Sequence, residues 1–413
     1  MTASDPTPRT GARIAFVPPR YGEGVVGGAE AVIRETAHGF AALGWQVDVL
    51  TTCARDHFTW ANEYPAGESR DGAIAIRRFP TVVPRSRADR ARYEGMMLSG
   101  DTLTLEEQQR WVNGDLRVPE LFHHILDHAG DYSALVFAPY LFWTTFACTQ
   151  VAPMRTILMP CLHDEPYASL DIFRPMFSGA AGIWFLSEPE HETAHRLFAL
   201  PDNHRVVGAG VRIPARYDVE GFRSRHDIDG RFVLFAGRRE TGKGWDDLLN
   251  AFAAALQRHG LPFSLVTMGT GHVSPPAAIR DRVVDLGFVG EADRDAAFAA
   301  ADAYIQPSAY ESFSRTMMEA WLAGTPVIAN GASDVVRWHC ERSGAGLTYD
   351  DEYELAQCLR FVAEAPDAAA CFGERGREYV LTNYAPESVL RAQEASVREW
   401  LPSDPGGDSE AIA

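Results

Sequence analysis

The chain contains no CxxC pair. Its six cysteines, Cys53, Cys148, Cys161, Cys340, Cys358 and Cys371, are widely scattered. That excludes a zinc ribbon or a dithiol redox centre and reads as reduced, mostly buried thiols. An export signal is lacking too: Met1 to Gly11 is polar, with no apolar core, so a cytoplasmic protein is expected. Basic residues are in deficit, 38 Lys and Arg against 56 Asp and Glu for a formal charge of −18. This excludes nucleic acid as a partner, and binding to anionic membrane through overall charge. No apolar run is long and clean enough to span a bilayer. The nearest, Ala134 to Ala152, carries Pro139, Tyr140, two threonines and Gln150, and reads as strand, turn and helix. There is no GxxxxGK[ST] phosphate loop and no short internal repeat. What is present is an ordinary globular composition, 46% hydrophobic and 23% charged over 413 residues, with room for two or three domains.

Apolar runs alternate with helical patterns. Ala12–Val17, Gln46–Leu50, Ala73–Phe79, Ala134–Ala138, Thr156–Met159, Gly182–Leu186 and Arg205–Val207 read as one strand series. Phe232–Ala236, Ser264–Met268, Arg282–Phe288, Ala303–Gln306 and Val327–Ala329 form a second. Such βα alternation implies mostly parallel sheets covered on both faces. The predicted architecture is α/β, two doubly wound, Rossmann-like domains facing a cleft. The first would span 12–213, with a polar, irregular insertion at about 80–132 holding short helices at Leu105–Trp111 and Pro119–His128. The second would span 214–385. A last helix, 386–401, would follow, and the tails 1–11 and 402–413 read as disordered.

Ligands in such sheets bind at the carboxyl ends of the strands, and the candidate residues lie there. Pro307-Ser308-Ala309-Tyr310-Glu311-Ser312-Phe313-Ser314 leads from a strand into a helix expected to start near Ser312, with Glu319 inside it. At ~1.5 Å rise per residue the two carboxylates would lie about 12 Å apart, the length of a nucleotide sugar. The helix start between them offers free N–H groups to a phosphate. A Gly-rich loop follows Phe232–Ala236, with Arg238 and Lys243 placed to neutralise a diphosphate leaving group. Gly27-Gly28-Ala29-Glu30 reads as a flexible loop approaching phosphate or acceptor. His163 follows another strand, either as a donor to sugar or phosphate or as a structural histidine.

Three patterns compete. Gly22-Glu23-Gly24-Val25-Val26-Gly27 matches a dinucleotide fingerprint, but it starts too far from the strand, and Leu50-Thr51-Thr52 offers no acid for a ribose. His191-Glu192-Thr193-Ala194-His195 matches HExxH, but Phe198 and Pro201 stand where the extended zinc pattern needs Gly and His. Arg77, Arg78, Arg85, Arg87, Arg90 and Arg92 form either a solvated face or a patch for an anionic, lipid-linked acceptor or membrane surface.

Taken in order, Gly27-Gly28-Ala29-Glu30, Gly210-Val211, Gly237-Arg238, Lys243-Gly244, Gly269-Thr270-Gly271, Phe288-Val289-Gly290, Pro307-Ser308 and the Glu-x7-Glu segment resemble the retaining glycosyltransferases of family 4, which have the GT-B fold. The resemblance implies that Arg238 and Lys243 bind the donor diphosphate and that Glu319 holds the ribose. It also implies that Glu311 contacts the transferred sugar, that Phe288 and Val289 border the base, and that His163 stands near the donor sugar. Gly27, Gly28, Gly237, Ser312, Phe313 and Ser314 complete the donor-binding set. No metal and no cofactor is implied; the UDP- or GDP-linked sugar is a substrate. The last helix would cross back to the first domain. One departure stands out: the usual Glu-Gly-Phe-Gly is Glu311-Ser312-Phe313-Ser314 here. The expected activity is transfer of a hexose or deoxyhexose to a glycan, lipid-linked or small-molecule acceptor, in bacterial envelope polysaccharide or glycoconjugate synthesis. The enzyme would be cytoplasmic or peripheral at the inner face of the plasma membrane. A non-catalytic homologue that binds a nucleotide sugar is the alternative from another class, and an HExxH zinc hydrolase a remote one.

Overall fold

The structure, a computed structural model, describes residues 12–22, 24–25, 27–82 and 87–401. The expected tails and Arg85 lie outside them. The chain divides into two compact units: residues to Gly210 together with those from Glu387 onward, and Val211–Pro386.

The first unit is built on strands β1 (Arg13–Val17), β2 (Gln46–Thr52), β3 (Gly67–Asp71), β4 (Ile74–Phe79), β5 (Ala134–Phe137), β6 (Thr156–Leu158), β7 (Gly182–Phe185) and β8 (His204–Val206). Their order is β3-β4-β2-β1-β5-β6-β7-β8, with only β3 antiparallel. β5 and β7 are buried at every position, which is why they read as unbroken apolar runs. β3, Gly-Glu-Ser-Arg-Asp, is an exposed, charged edge and carried no apolar signal.

The stretch expected as a polar, irregular insertion holds the two expected helices and one more, and all three contribute to the core. Helices Arg87–Leu98, Leu105–Asn113 and Pro119–His128 bury Tyr93, Trp111, Val112, Leu121 and Ile125 in the cluster that includes Ala15 and Leu135 of the sheet. Thr104 and Glu107 close a capping box on the second of these helices. The arginine cluster is dispersed. Arg77 and Arg78 are successive residues of β4 and so face opposite sides. Arg77 pairs with Glu68, and Arg90 with Glu94 at 2.9 Å while lying over Trp111. Arg92 lies over Tyr93.

The helix Pro386–Trp400 belongs with this unit from Glu387 onward. Trp45 Nε1 donates to Glu394 at 3.0 Å and Trp184 Nε1 to Ser396 Oγ at 2.7 Å. The Trp400 ring packs against β7 at Gly182, which has no side chain.

The second unit carries β9 (Phe232–Ala236), β10 (Ser264–Met268), β11 (Val283–Asp285), β12 (Ala303–Gln306), β13 (Val327–Asn330) and β14 (Gly346–Tyr349), all parallel, in the order β11-β10-β9-β12-β13-β14. Helices Trp245–His259 and Glu352–Glu364 share a core with Phe235, Leu265 and Ile305. The polar stretch before β9 holds a helix, Val219–Arg225, whose N-cap Asp218 accepts from Gly221 N. Among the described residues no helix is long and apolar enough to cross a membrane.

A Cβ at position 182 would lie 2.2 Å from Trp400 Cε3. Gly182→Ala is therefore expected to lower the first unit's stability by about 1–3 kcal/mol through overpacking. Thermal unfolding followed by tryptophan fluorescence checks this.

Candidate active site

Three loops of the second unit meet at the carboxyl ends of β10, β9 and β12, and glycines make the meeting possible. Gly244 has φ +68°, and a Cβ there would lie 2.5 Å from the Pro307 carbonyl oxygen. Gly269 has φ +134°, and its Cβ would meet the Gly237 carbonyl at 2.0 Å. Only glycine permits both the backbone conformation and the approach. Arg239, buried between the loops after β9 and β10, binds Thr267 Oγ1 at 3.0 Å and the carbonyls of Gly269 and Gly271, each at 3.1 Å, and pairs with Asp285. Its role is to hold the loop. Arg238 next to it is partly exposed and pairs with Glu240 at 3.0 Å.

Lys243 ends a single 3-10 turn and reaches the loop after β12, where its Nζ lies 2.8 Å from Glu311 Oε1. Gln306 Nε2 donates to the same oxygen at 2.9 Å and to Ser314 Oγ at 2.8 Å. Tyr304 OH, two residues earlier on the same face of β12, bonds Gln306 Oε1 and Thr316 Oγ1, each at 2.7 Å. Burial pushes the Tyr304 phenol far up, so it stays protonated. The helix starts at Arg315, three residues later than expected. The physical reason is Ser314, which takes the left-handed backbone, φ +61° and ψ +66°, and so breaks the helix. Only the step from Arg315 to Glu319, about 6 Å, is thus helical rise. Serine therefore stands here in the conformation that glycine prefers, held by its bond from Gln306. No side chain caps this helix start, so its first N–H groups point outward.

Glu319 is buried, and its Oε1 is held by Arg315 Nε at 3.0 Å and Arg294 Nη2 at 3.3 Å. Phe313 is packed against Tyr384 and His339 and anchors the loop. Ser312 is buried beside it. Phe288, followed by Val289, is 67% exposed just past β11, an apolar ring offered to solvent at the strand ends.

The remaining candidates lie in the first unit. Gly27 caps the helix Gly28–Ala42, and a Cβ there would fall 2.0 Å from Glu30 Oε2. Glu30 folds back over the helix start and forms a buried pair with Arg20, so it does more than favour the first turn. Nothing lies within 4 Å of the site of a Gly28 Cβ. His163 follows β6, is partly exposed, and lies 3.6 Å from Glu165, which accepts from Tyr140 at 2.7 Å. The loop carrying it is pinned by buried Glu190, which accepts from Leu162 N at 2.7 Å and from Leu186 N. The HExxH segment does form a helix, Glu188–Leu197, but His191 stacks on His204 at 5.0 Å. Among the described residues no three His, Cys, Asp or Glu side chains are placed to hold a metal.

Tyr304, Gln306, Arg294, Arg315 and Thr316 were not singled out from sequence. Period-two spacing on β12 would have found the first two. A simpler signal was also present: Lys243 is the only lysine in the chain.

The two parallel-sheet units have the GT-B fold. Residues 230–364 match the family of glycosyl transferases group 1. The chain is 27% identical over 353 residues to a D-inositol 3-phosphate glycosyltransferase of Jonesia denitrificans, covering 80% of this chain and 81% of that protein. It is also 27% identical over 276 residues to the 2-deoxystreptamine glucosyltransferase of Streptomyces kanamyceticus, covering 62% and 70%. Among solved structures, a sucrose-phosphate synthase from Thermosynechococcus elongatus superposes with a TM-score of 0.71 at 18% identity, covering 94% of this chain and 98% of that one. Anabaena HepE in complex with UDP and glucose gives 0.69 at 15% identity, covering 94% and 100%.

Replacing Ser314 separates the two contributions at that position. Ser314→Ala loses the Gln306 bond and keeps the left-handed strain, so it is expected to cost about 1–2 kcal/mol. Ser314→Gly loses the bond but relieves the strain and should lie within about 1 kcal/mol of the parent. Chemical denaturation of the second unit's transition measures both.

Proposed function

We propose that the chain moves a hexose or deoxyhexose from a nucleoside diphosphate sugar to a glycan, lipid-linked or small-molecule acceptor, retaining anomeric configuration without a bound metal. The observation that carries this reading is the Lys243–Glu311–Gln306–Ser314 network at the uncapped start of the helix Arg315–Leu322. Lys243, Arg238 and the helix N–H groups neutralise the diphosphate as it leaves. Both contacts to Glu311 fall on Oε1, leaving Oε2 to accept a hydroxyl of the transferred sugar. Glu319 is likewise held through Oε1, leaving Oε2 for the ribose, and the exposed ring of Phe288 offers a face to the base.

The same pairing bears on the route by which retention would be achieved. Each glutamate is engaged by a cation, so neither is a ready nucleophile for a covalent glycosyl intermediate. Attack from the leaving-group side, with the departing phosphate taking the acceptor proton, needs no such nucleophile. His163, partly exposed at the end of β6, would donate near the donor sugar. HepE was solved with UDP and glucose, which favours a UDP-linked donor, with GDP the other base to test. Relatives named for D-inositol 3-phosphate and 2-deoxystreptamine favour a small polar acceptor. A role in bacterial envelope or glycoconjugate synthesis at the inner membrane face fits the lipid-linked alternative.

The single lysine gives a direct test. An amine-reactive reagent followed by peptide mass spectrometry should modify Lys243, and saturating UDP or GDP should protect it. Modification indifferent to every nucleoside diphosphate and nucleotide sugar would sink the donor-site reading. Lys243→Ala is expected to lower kcat/KM by about 100-fold or more, the cost of one oxyanion-stabilising group. Glu311→Ala should lose turnover yet still bind the free nucleoside diphosphate in a thermal-shift assay.

A further inference from the structure

Behind the loop that carries His163 lies a buried acid without a counter-ion. Glu190 is 1% exposed, and among the described residues no cation pairs with it. A carboxylate so placed is costly unless hydrogen bonds hold it. Its two oxygens have separate partners: Oε1 accepts from Leu162 N at 2.7 Å and Oε2 from Leu186 N. Leu162 lies on the chain leaving β6 and Leu186 on the chain leaving β7, and these strands are adjacent and parallel. One side chain therefore fastens two neighbouring loops at the carboxyl ends of their strands.

The fastening falls next to His163. Cys161, two residues before it, is buried with φ +50°, a left-handed backbone that a Cβ makes unfavourable and that needs outside support. Leu162, between the two, gives its N–H to Glu190. On the other side of His163, Asp164 accepts from Arg196 at 2.8 Å. Glu190 and Arg196 stand on one helix, Glu188–Leu197, so the helix of the HExxH segment grips this loop on both flanks. The two grips differ in kind. The Asp164–Arg196 pair is exposed and contributes little, whereas the bonds to Glu190 are shielded from water.

We propose that Glu190 is a positioning residue for His163, and that its ionisation sets whether the His163 loop is held. This rests on the reading of His163 as a donor near the transferred sugar. Ionised, each oxygen accepts one N–H. Protonated, one oxygen turns donor against an N–H, and one of the two loops loses its bond. Burial pushes the carboxyl up to about 8, against the N–H groups of Leu186, Leu162 and Ser187, which favour the charged form. The held form thus grows as pH rises through that value. The other ionisable groups around the loop are accounted for. The Cys161 thiol is kept protonated by burial and by the charges of Glu190 and Glu30, and Glu30 is paired with Arg20. His163 lies 3.6 Å from Glu165, and on the helix itself Glu188 lies 3.8 Å from His191.

The test uses the full chain. In TROSY spectra of protein carrying isotopically labelled leucine, the amide resonances of Leu162 and Leu186 should shift together, with one midpoint at about pH 8. They should not do so in Glu190→Gln, whose amide offers a single acceptor oxygen at every pH. Across the same range, kcat for release of UDP from UDP-glucose should rise about tenfold in the parent. In Glu190→Gln it should stay low and flat, with KM for UDP-glucose within about twofold of the parent. Glu190→Asp, which keeps a carboxylate, should regain part of the rise. Amides that do not titrate, or a Glu190→Gln profile that rises like the parent's, overturn the proposal. The amide titration of the parent needs no variant, so it decides even where Glu190→Gln fails to fold. His163→Ala as active as the parent overturns the reading of His163 instead. Failure to release nucleotide from UDP-glucose or GDP-mannose at any pH overturns the transferase reading. Neither result touches the amide titration, so the failures are distinct.

Discussion

One carboxylate oxygen holds the second unit's site together. Glu311 Oε1 takes Lys243 from the loop after β9 and Gln306 from the end of β12, so two strands' loops are tied at one point. The tie forms only because the two backbones come close enough, and that depends on Gly244 lying against the Pro307 carbonyl. From Gln306 the network runs to Ser314 and through Tyr304 to Thr316, so the start of the helix is set by the same group of bonds. Orientation of the helix N–H groups and of the lysine are thus one structural decision. Such pre-alignment is what lets fixed dipoles stabilise a developing charge without reorganising.

Serine where the family resemblance implies glycine shows how such a loop accommodates a Cβ. Position 314 keeps the left-handed backbone that breaks the helix, although a Cβ makes that conformation unfavourable. The hydroxyl compensates by joining the Gln306 bond. Position 312 is different. Ser312 is buried but is not among the residues with positive φ, so glycine there is not demanded by backbone conformation. The two serines look alike in sequence, but only one carries strain.

Much of the fold was legible because parallel strands buried on both faces leave apolar runs, and nearly every such run became a strand. What escaped had another physical basis. β3 is a charged edge strand with no apolar face, and the helix Arg87–Leu98 gives the core only Tyr93 and Met97 among polar residues. In the candidate site, residues that follow a strand end could be singled out because ligands of open α/β sheets bind at such ends. Those that act by touching another side chain, such as Arg294 on Glu319 or Gln306 on Glu311, leave no mark in linear spacing. Glu30 was visible as a helix-start acid, but its fold back over Gly27 to Arg20 is a three-dimensional fact.

The choice of cations separates the jobs that positive charge does in this chain. Arginine serves wherever a fork is tied to fixed partners, as Arg239 is to two carbonyls, a hydroxyl and a carboxylate. A guanidinium so bound is structural and cannot be released to a ligand without breaking several bonds at once. The one lysine is tied by a single contact, to Glu311. An ammonium is a compact charge on a flexible stem, able to exchange one partner for another at little geometric cost. In the proposed reaction, a group that leaves a carboxylate and follows a diphosphate through bond cleavage needs that freedom. In a chain that otherwise relies on arginine, the proposed reaction puts the single lysine where the cation would have to move.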